Sequence, residues 1–400
     1  MDKSLNKKVV RIMDSEVIII GSGPAGIWLA YNLAQSDIEV LILEKEPWPR
    51  YKACGGAISG KTLELLHNKK IYLPDSVVRN TINKFTFNYN LQECNTFSCQ
   101  GQGIKLVNRK NFDDFLLKQS CKAGANFYDK EKVIDIEISK NMVEVFTEEN
   151  SYKGKIVVGA DGAWSKTGNI LNLYPENIKN NMIMAVELEL FKNDTDYQRN
   201  NRIEIDIGFI PGGYVWIFPK KNRLSIGLGT NRTGNINLTK QLFAYLRQKK
   251  ISYSKDDIFY KGYPIPLAGN RLKNIKMAGN RFLLIGDAAY LADPLVGEGI
   301  YNACFSAEIA ANTIIKFISG EKNSLLQYQK HIEDQLYFQL KSAAELANIF
   351  YKNSEIFKEF MSYDSELFKE FFDVIQGRSI YSELFGQIKS FPVFTPLSKK

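Results

Sequence analysis

Short apolar runs that end at glycine turns mark the first part of the chain. Residues 17–20 form the kind of β-branched run found in a strand covered on both faces, residues 24–34 fit a helix, and residues 39–44 fit the next strand. This order predicts a β-α-β unit with parallel strands. Alternating residues predict strands at 133–138 and 143–146, and apolar runs predict buried strands at 155–158 and 282–285. Helices are predicted at 110–123, 238–249 and 299–318.

The pattern changes between residues 180 and 230, where apolar and polar residues alternate. This alternation predicts antiparallel strands of a second sheet at 184–190, 202–209, 213–218 and 223–229. Residues 321–400 are helix-like and rich in phenylalanine. We interpret these phenylalanines as an ordinary helical core, with a membrane-contacting face as the alternative: Phe350, Phe357, Phe360, Phe368, Phe371 and Phe372.

The order of elements predicts an α/β fold in which one domain is interrupted by another. A discontinuous Rossmann-type nucleotide-binding domain is expected to contain residues 1–80, 105–178 and 275–320. An inserted antiparallel β-sheet domain is expected to contain residues 81–104 and 179–274 and to bind the substrate. Residues 321–400 form the predicted C-terminal helical region.

Composition excludes several classes of protein. The chain is 44% hydrophobic and 24% charged, as globular proteins are. Its net charge of +8 is not gathered in a dense basic block, so nucleic acid is not an expected partner. Five scattered cysteines argue against a disulfide framework and for a reducing compartment. Only two histidines occur, which argues against a His-based metal site or a Ser-His-Asp hydrolase, and we predict no metal.

Residues 17–36 carry no charge and could be mistaken for a transmembrane helix or a signal peptide. The sequence GSGPAG at residues 21–26 interrupts this run with glycines and a proline, which break a helix. The segment is therefore predicted to be a strand, a turn and a helix. No other long apolar run occurs, so the sequence predicts a soluble, cytoplasmic protein, and contact with the inner face of a membrane stays open.

The glycine turn after the first strand matches G-x-G-x-x-G in the place where a dinucleotide site needs it. Gly21 permits the tight turn, Gly23 lets the backbone approach a pyrophosphate, and Gly26 lets the helix pack on the strand. Glu44 ends the second strand, where a carboxylate can accept both ribose hydroxyls of an adenosine. Dinucleotide binding is therefore expected, and a structural glycine turn is the alternative.

Two more strand-end turns carry glycine and aspartate, Asp161-Gly162 and Gly286-Asp287. After the second turn, Pro294 and residues 297–299 (Gly-Glu-Gly) lead into the long predicted helix, whose first turn offers unpaired N–H groups and positive charge. A reduced flavin, anionic around N1 and the C2 carbonyl, would be stabilised there. Asp287 is expected to accept hydrogen bonds from the ribityl chain.

Together the segments GSGPAG, YKACGG, GADGAWS, GYVWIFPK and GDAAYLADPLVGEGI resemble the geranylgeranyl reductase family, FAD-dependent members of the p-hydroxybenzoate-hydroxylase-like flavoproteins. The resemblance spans roughly residues 15 to 320. It implies an oxidoreductase that binds FAD and reduces carbon–carbon double bonds of prenyl chains, with electrons from NADPH or ferredoxin. The implied partners are a prenylated lipid or quinone-type molecule and an electron-donor protein.

The resemblance also implies roles for individual residues. Tyr214, Trp216, Phe218 and Pro219 match the family's Y-x-W-x-F-P strand, and Cys54 lies in its K-x-C-G-G stretch near the flavin. The expected cofactor-binding residues are Gly21, Gly23, Pro24, Ala25, Gly26, Glu44, Lys45, Lys52, Cys54, Gly55, Gly56, Arg109, Asp161, Gly162, Gly286, Asp287, Pro294, Gly297, Glu298, Gly299 and Ile300.

The candidate catalytic residues are Cys54, Tyr214 and Trp216, each with a plainer alternative. Cys54 could donate the proton that alkene saturation needs, or be a small residue tolerated beside the flavin. Tyr214 and Trp216 could line an apolar tunnel for a prenyl chain, or belong to a core stripe. Glu298 is interpreted as a helix-start acid rather than a catalytic one, and Arg109 as a cofactor contact rather than a surface arginine.

Two positions depart from the family pattern. Gly168 stands where an arginine is common, seven residues after Asp161. Tyr290 stands where a glycine is usual, and we expect it to narrow the pocket beside the flavin.

Two other functions stay open beside prenyl reduction. One is an FAD-dependent monooxygenase or halogenase of the same fold, although Glu298 and the C-G-G stretch favour a reductase. The other is a prenyl-binding carrier that has lost FAD, against which the intact glycines, Glu44 and Asp287 argue.

Overall fold

The computed structural model describes residues 12–98, 101, 103–191, 197, 200–231, 236–253, 258–269, 272–363 and 365–389. Cys99 lies outside these residues, as do residues 1–11 of the predicted nucleotide-binding domain and residues 390–400 of the predicted C-terminal region. The other four cysteines, Cys54, Cys94, Cys121 and Cys304, are free thiols. Within the described residues, no helix has both the length and the apolar character needed to cross a bilayer.

An eight-stranded sheet carries the predicted nucleotide-binding elements. Its central strand, β1, pairs in parallel with β2 and β11, β2 pairs in parallel with β8, and β11 pairs in parallel with β18. Strands β9, β10 and β17 add antiparallel pairs at its margins. The strands are β1 Ile12–Ile20, β2 Val40–Leu43, β8 Asn126–Tyr128, β9 Val133–Ile138, β10 Val143–Thr147, β11 Ser151–Gly159, β17 Ala278–Gly279 and β18 Phe282–Leu284.

A seven-stranded sheet follows the order β16-β12-β15-β14-β13-β5-β6. A smaller sheet of three strands, β3-β7-β4, is also present. The strands are β3 Ala57–Ile58, β4 Val78–Ile82, β5 Lys84–Tyr89, β6 Gln92–Ser98, β7 Ile104–Val107, β12 Met182–Phe191, β13 Arg202–Ile207, β14 Gly213–Lys220, β15 Arg223–Thr230 and β16 Ile258–Pro266.

Helices cover both larger sheets. The α-helices of the described chain are α1 Pro24–Ala34, α2 Gly60–Asn68, α3 Arg109–Lys122, α4 Lys166–Ile170, α5 Leu238–Gln248, α6 Ile300–Ile318, α7 Gln327–Ile332, α8 Phe338–Lys352, α9 Ser354–Tyr363, α10 Ser365–Gln376 and α11 Tyr381–Lys389. A π-helical turn, Glu333–Tyr337, joins α7 to α8. Helices α8 to α11 confirm that the C-terminal region is helical.

The structure confirms the mixed α/β fold and most of the predicted elements, and it corrects the second sheet in two respects. Not all its strands are antiparallel, because β13 pairs in parallel with β5, which enters from a much earlier segment. Strand β16 was not predicted, because its sequence IFYKGYPIP contains a glycine and two prolines. Proline is tolerated at the edge of a sheet, and β16 is an edge strand.

The two faces of the seven-stranded sheet differ, because successive side chains of a strand point to opposite faces. Val215 and Ile217 of β14 belong to a closed core that includes Leu242 and Leu246 of α5, and we call this the helix face. On the same strand, Tyr214, Trp216 and Phe218 line a large cavity, and we call this the cavity face.

The C-terminal phenylalanines pack against the cavity face near the β5–β6 edge. The rings of Phe85 and Phe372 lie 4.5 Å apart, and Phe97 stacks on Phe368 at 3.4 Å. These phenylalanines are buried, as a helical core requires, and their burial disfavours the membrane-contacting alternative. Four of them also line the cavity, which the sequence did not indicate: Phe350, Phe357, Phe371 and Phe372.

Candidate active site

One cavity of about 1150 Å³ brings together the three strand-end turns that the sequence singled out. The turn after β1, the turn after β11 and the segment from Asp287 to Ile300 all contribute to its wall. The predicted residues that line it are Gly21, Gly23, Pro24, Ala25, Glu44, Lys45, Lys52, Cys54, Gly55, Gly56, Arg109, Asp161, Gly162, Tyr214, Trp216, Asp287, Gly297, Glu298, Gly299 and Ile300. Gly26, Gly286 and Pro294 do not line it.

Gly26 and Gly286 have packing roles behind the wall. A Cβ on Gly26 would overlap the carbonyl oxygen of Gly21, so only glycine lets α1 approach β1 this closely. Gly286 adopts φ +58°, and a Cβ there would lie 3.0 Å from the Cβ of Ala25. Direct contact between either residue and a ligand in the cavity is therefore not supported, and Pro294 instead belongs to the turn that leads into α6.

The turn after β1 exposes backbone donors to the cavity. Gly21 has φ +105°, a conformation that favours glycine, and its would-be Cβ points into the backbone of Ala160, just after the neighbouring strand β11. Gly23 is the N-cap of α1, and no side chain caps this helix. The first-turn N–H groups and the positive end of the helix dipole therefore remain available to an anionic ligand.

Glu44 is almost fully buried at the end of β2. Its Oε2 accepts from the Ser22 amide and hydroxyl and from Arg50 Nε, and its Oε1 accepts from the Glu46 amide. Burial would raise the pKa of Glu44, but the Arg50 guanidinium and the Ser22 hydroxyl outweigh it and the pKa is lowered. Since a carboxylate has about four acceptor sites, only Oε1 keeps capacity for a ribose hydroxyl.

Arg50 was missed by the sequence analysis. Its Nη1 lies 3.1 Å from Asp113, and its Nη2 donates to the Ser22 carbonyl at 2.9 Å. Asp113 also receives two hydrogen bonds of 2.8 Å from Arg109. Asp113 therefore ties Arg50 to Arg109 at the cavity wall. Nothing in the periodicity of the sequence marks Arg50, because its partners come from distant segments.

Arg109 is buried and lines the cavity, so it is not a surface arginine. Its charge also acts on the segment that carries Asp287. Burial raises the pKa of Asp287, and the nearby cations of Lys52 and Arg109 oppose that effect. Burial in turn lowers the pKa of Lys52, against the attraction of Asp287. A carboxylate and two cations are thus gathered where α6 begins.

In the turn after β11, one carboxylate oxygen of Asp161 is already used by hydrogen bonds within the protein. Asp161 Oδ2 accepts from the amide and the hydroxyl of Thr167, at 2.9 and 3.0 Å. Its Oδ1 is buried and has no hydrogen-bond partner among the described residues. Gly162, with φ +81°, meets nothing within 4 Å of its would-be Cβ, which leaves space on the cavity side.

Glu298, just before α6, is held by two partners from the α2 segment. Ser59 donates to Oε1, and the Lys61 ammonium lies 2.8 Å from Oε2. The same ion pair raises the pKa of Lys61 despite the opposing effect of its burial. These contacts favour the interpretation of Glu298 as a structural acid, because they tie the start of α6 to the α2 segment.

The stretch from Cys54 to Gly56 passes closely over the cavity face of the seven-stranded sheet. A Cβ on Gly55 would lie 2.7 Å from the Phe218 ring and 3.3 Å from Trp216 Nε1. Gly56 has φ +74° and packs against Val107 and Lys220. Gly55 is therefore required by close contact with β14, and Gly56 by its positive φ and its contact with the Val107 carbonyl of β7. Cys54 lies in the cavity wall beside them.

Tyr214 and Trp216 differ in how their polar atoms are used. The Tyr214 hydroxyl donates to the Val296 carbonyl at 2.7 Å, which joins β14 to the segment before α6. Trp216 is only 6% exposed, and its Nε1 has no hydrogen-bond partner in the described chain. A buried unpaired donor is costly unless a ligand accepts from it.

An apolar arm of the cavity extends from Trp216 across the sheet. Ile205 pairs with Trp216 on one side and with Phe87 on the other, so these residues form a row across three strands. Phe87 and Ile205 were not among the predicted site residues, although apolar and polar residues alternate in the sequences of β5 and β13. The arm is lined by Phe85, Phe87, Ile104, Ile203, Ile205, Ile207, Leu295, Phe350, Phe357, Phe371, Phe372 and Ile375.

The two positions that depart from the family pattern, Gly168 and Tyr290, both pack against Tyr174. A Cβ on Gly168 would overlap the ring of Tyr174, which fills the space beside this glycine. Tyr174 donates to the Ala288 carbonyl at 2.7 Å and packs edge-on against Tyr290 at 5.5 Å. Tyr290 has φ +58°, which explains why glycine suits this position, but it does not line the cavity. The expectation that it narrows the pocket is therefore wrong.

Comparison with known proteins identifies the family. The family model described as an FAD binding domain matches residues 14–334. The chain belongs to this family. An uncharacterised protein of Methanosarcina barkeri is 31% identical over 349 residues, which are 87% of each chain. Digeranylgeranylglycerophospholipid reductase 1 of Methanopyrus kandleri is 26% identical over 357 residues, 84% of this chain and 91% of that protein.

The fold has a solved counterpart. A geranylgeranyl bacteriochlorophyll reductase-like protein from Thermoplasma acidophilum superposes with a TM-score of 0.78 at 20% identity, over 97% of this chain and 99% of that one. These findings confirm the predicted family resemblance and the fold. The protein is an FAD-dependent oxidoreductase.

The residues of the cavity fit FAD. The N-terminus of α1 has no side-chain cap, and Gly23 leaves open space beside it, so this turn suits a pyrophosphate. Glu44 Oε1 suits a ribose hydroxyl. At the other turn, α6 begins after Gly299 without a side-chain cap, which suits an anionic ring. The unpaired Trp216 Nε1 supplies a donor between these features and the apolar arm. We assign these residues to FAD as a proposal.

Proposed function

We propose that this protein reduces carbon–carbon double bonds of a prenyl chain. The observation that carries the proposal is the continuity of one cavity, which runs from the three strand-end turns to an apolar arm. A binding site for a small polar substrate would have no use for this arm, whereas a prenyl chain needs an apolar wall with few polar groups. The names of the curated reductases that resemble this chain support the same substrate class.

FAD, when bound and reduced, supplies a hydride to the double bond. The protein holds the reactants in position and excludes water. Arg50 and Arg109, fixed by Asp113, secure the glycine turn and the wall beside Cys54. The Tyr214 hydroxyl holds β14 against the segment before α6, so that the cofactor end and the apolar arm keep one geometry.

The chain-length preference is part of the proposal. The apolar row from Trp216 to Phe87 spans two strand spacings, about 10 Å. Phe87 packs against Phe357 and Phe368, and Phe368 stacks on Phe97, so this aromatic cluster closes the end of the row. We expect it to limit how far a prenyl chain can pass beyond the reacting double bond.

The experiment begins with the visible absorbance of purified protein, since bound flavin is coloured. The protein is then reduced without oxygen and mixed with geranylgeranyl diphosphate or a digeranylgeranyl glycerophospholipid. We expect reoxidation of the flavin and a product heavier by two hydrogens for each double bond reduced. A product unchanged in mass with both probes would contradict the proposal. Oxygen consumption on an aromatic substrate would instead indicate a monooxygenase.

The electron donor and the site of action are finer parts of the same proposal. We propose NADPH or reduced ferredoxin as donor, and the two are compared by the rate of anaerobic flavin reduction. The net charge of +8 would favour an anionic lipid surface, from which a prenylated substrate could be taken. Sedimentation with anionic vesicles, with neutral vesicles as the control, tests that contact.

A further inference from the structure

Saturation of an isolated double bond needs a proton as well as a hydride, and the cavity shows which side chains could supply it. Several hydroxyl groups on the wall are already used. Tyr214 donates to the Val296 carbonyl, and Tyr351 donates to the Leu295 carbonyl. Tyr263, on the edge strand β16, also lines the cavity, and its hydroxyl makes no hydrogen bond to any described residue.

A buried carboxyl lies next to Tyr263 on the cavity face. Tyr263 pairs with Ala185 and Lys261 pairs with Glu187 in the β12–β16 ladder. Tyr263 and Glu187 are therefore diagonal neighbours on one face, at a spacing of about 7–8 Å that long side chains can bridge. The small side chain of Ala185 leaves Tyr263 room to lean toward Glu187.

Glu187 is 1% exposed, yet its two oxygens are not equally satisfied. Oε1 accepts from the Ser225 hydroxyl at 2.5 Å, whereas Oε2 is buried without a hydrogen-bond partner among the described residues. Burial raises the pKa of Glu187 and the charge of Glu189 adds to this, although Lys220, the Ser225 hydroxyl and the Cys54 backbone amide oppose it. A higher pKa widens the pH range over which Glu187 keeps the proton that it would donate.

Glu189, two residues further along β12, shows the contrast. It is paired with two cations, at 3.2 Å from Lys220 and 2.7 Å from Arg223. Both of its oxygens therefore have a cationic partner, whereas Glu187 Oε2 has none in the described chain. Of these two neighbouring carboxyls, Glu187 is the one suited to hold a proton beside the cavity.

We propose that Tyr263 passes a proton to the substrate and that Glu187 supplies it. This inference rests on the proposed function and deepens it by naming the proton donor. As a C–H bond forms at the alkene carbon that does not receive the hydride, the Tyr263 O–H bond breaks. A proton from Glu187 Oε2 replaces it on the hydroxyl, and water later reprotonates Glu187. The hydride carries the electron pair, so no further oxidant or reductant is needed.

The relay compensates for the weak acidity of the buried tyrosine. Burial raises the pKa of Tyr263 well above its ordinary range, and an ionised Glu187 would raise it further. A tyrosine acting alone would be too weak an acid. Because Glu187 delivers a proton while the hydroxyl gives one up, no tyrosinate has to accumulate.

The test uses matched substitutions on the two faces of the same sheet. Tyr263→Phe and Glu187→Gln remove the two proposed groups. Tyr245→Phe and Glu204→Gln make the same changes on the helix face, where Tyr245 bonds to Asp206 and Glu204 pairs with Lys249. All four variants are checked for thermal unfolding temperature and flavin absorbance.

The reduced proteins are mixed anaerobically with geranylgeranyl diphosphate, and flavin reoxidation is followed by absorbance. We expect Tyr263→Phe to slow this step roughly 10²-fold, with KM and flavin reduction unchanged, and both controls to match the wild type. Glu187→Gln should slow it less, and the double variant should be no slower than Tyr263→Phe, because the two groups act in one path. Multiplying effects would overturn the relay.

The pH profile and an infrared measurement separate chemistry from structure. The wild-type rate should fall on the alkaline side as Glu187 loses its proton, and this fall should be absent in Glu187→Gln. The titratable groups that face Glu187 are Lys220, Glu189, Lys261, Tyr51, Tyr263 and Cys54, and Arg223 is paired with Glu189. In protein free of FAD, the carbonyl band of a protonated carboxyl should be lost in Glu187→Gln and kept in Glu204→Gln.

The outcomes distinguish this inference from the proposed function. If the wild type is not reoxidised by the prenyl probe, the proposed function fails and the inference fails with it. If the wild type reacts and Tyr263→Phe reacts equally fast, the inference alone is wrong. A large loss in Cys54→Ser with none in Tyr263→Phe would assign the proton to Cys54. Should Glu187→Gln not fold, Tyr263→Phe and its Tyr245→Phe control decide.

Discussion

The two faces of the seven-stranded sheet are built from the same strands but have different roles. On the helix face, residues such as Leu188, Ile217 and Leu246 are fully buried in a closed core. On the cavity face, Trp216 and Phe357 border a volume that protein atoms leave unfilled. Close packing stabilises a fold, whereas an unfilled cavity does not. The sheet therefore has one face that stabilises the fold and one that is available to ligands.

The buried polar groups differ in the same way. On the helix face, Glu204 pairs with Arg202 and Lys249, and Asp206 accepts from the Leu91 amide and the Tyr245 hydroxyl. On the cavity face, Trp216 Nε1 and Glu187 Oε2 are buried without partners in the described chain. Unsatisfied buried groups are rare in folded proteins. We propose that a bound ligand uses the Trp216 donor and that proton transfer uses Glu187.

The largest loss of stability should come from truncating a leucine in the core of the helix face, compared with a leucine that borders the cavity. Leu246→Ala on the helix face should lower the free energy of unfolding by about 2–5 kcal/mol, because it leaves a void in a closed core. Leu295→Ala should cost less, since Leu295 already borders the cavity. Chemical denaturation of both variants measures the difference. Equal losses would contradict the distinction between the faces.

The Asp206 carboxyl on the helix face should contribute its own pH dependence of stability. Burial raises the pKa of Asp206 to about 6. The folded protein then binds this proton more tightly than the unfolded chain, so the free energy of unfolding should fall as pH rises from about 4 to 6. Asp206→Asn should remove up to about 3 kcal/mol of that fall. Thermal unfolding across this range checks it, and an unchanged slope would refute it.

Gly227→Ala tests the tolerance of the cavity face. The added Cβ would overlap the indole ring of Trp216, which must then move toward the cavity. Overpacking of this kind costs about 1–3 kcal/mol, and the displaced ring should also narrow the arm. We expect a moderate fall in the unfolding temperature together with weaker binding of geranylgeranyl diphosphate. Unchanged binding would show that Trp216 does not border the bound chain.

Phe357→Leu should have the smallest effect on stability, below about 1.5 kcal/mol, because volume changes little. Its effect on substrate choice should be clearer, since the closed end of the arm becomes deeper. We expect relative activity to shift toward longer prenyl chains, measured by product mass. Phe360→Leu is the control, because Phe360 is buried in the same cluster but does not line the cavity.

The elements that could be predicted are those whose signal is local. The limits of α1 follow from the sequence, because a glycine turn and a proline directly precede a helical apolar pattern. The limits of β9 follow from the alternation of apolar and polar residues along VIDIEI. The same holds for the three strand-end turns. Their convergence on one cavity could also be expected, because parallel strands present their carboxyl ends at one edge of a sheet.

Other parts of the site depend on pairing between distant segments. Arg50 matters because Glu44 and Asp113 meet around it. Tyr263 lies on an edge strand whose glycine and prolines hide it from a propensity argument. Propensity describes a residue and its neighbours in the chain, so it does not indicate which residue will lie across a ladder or a cavity.

The sequence alone determined the cofactor-side turns, because backbone geometry there permits little besides glycine and the required spacing is short. Only the tertiary structure decided that the C-terminal phenylalanines complete an apolar arm, that Tyr290 packs in the core, and that Glu187 lies buried beside Tyr263. These features depend on which strand pairs with which and on what covers each face. Burial and partnership arise from the whole fold, so a pattern along the chain does not specify them.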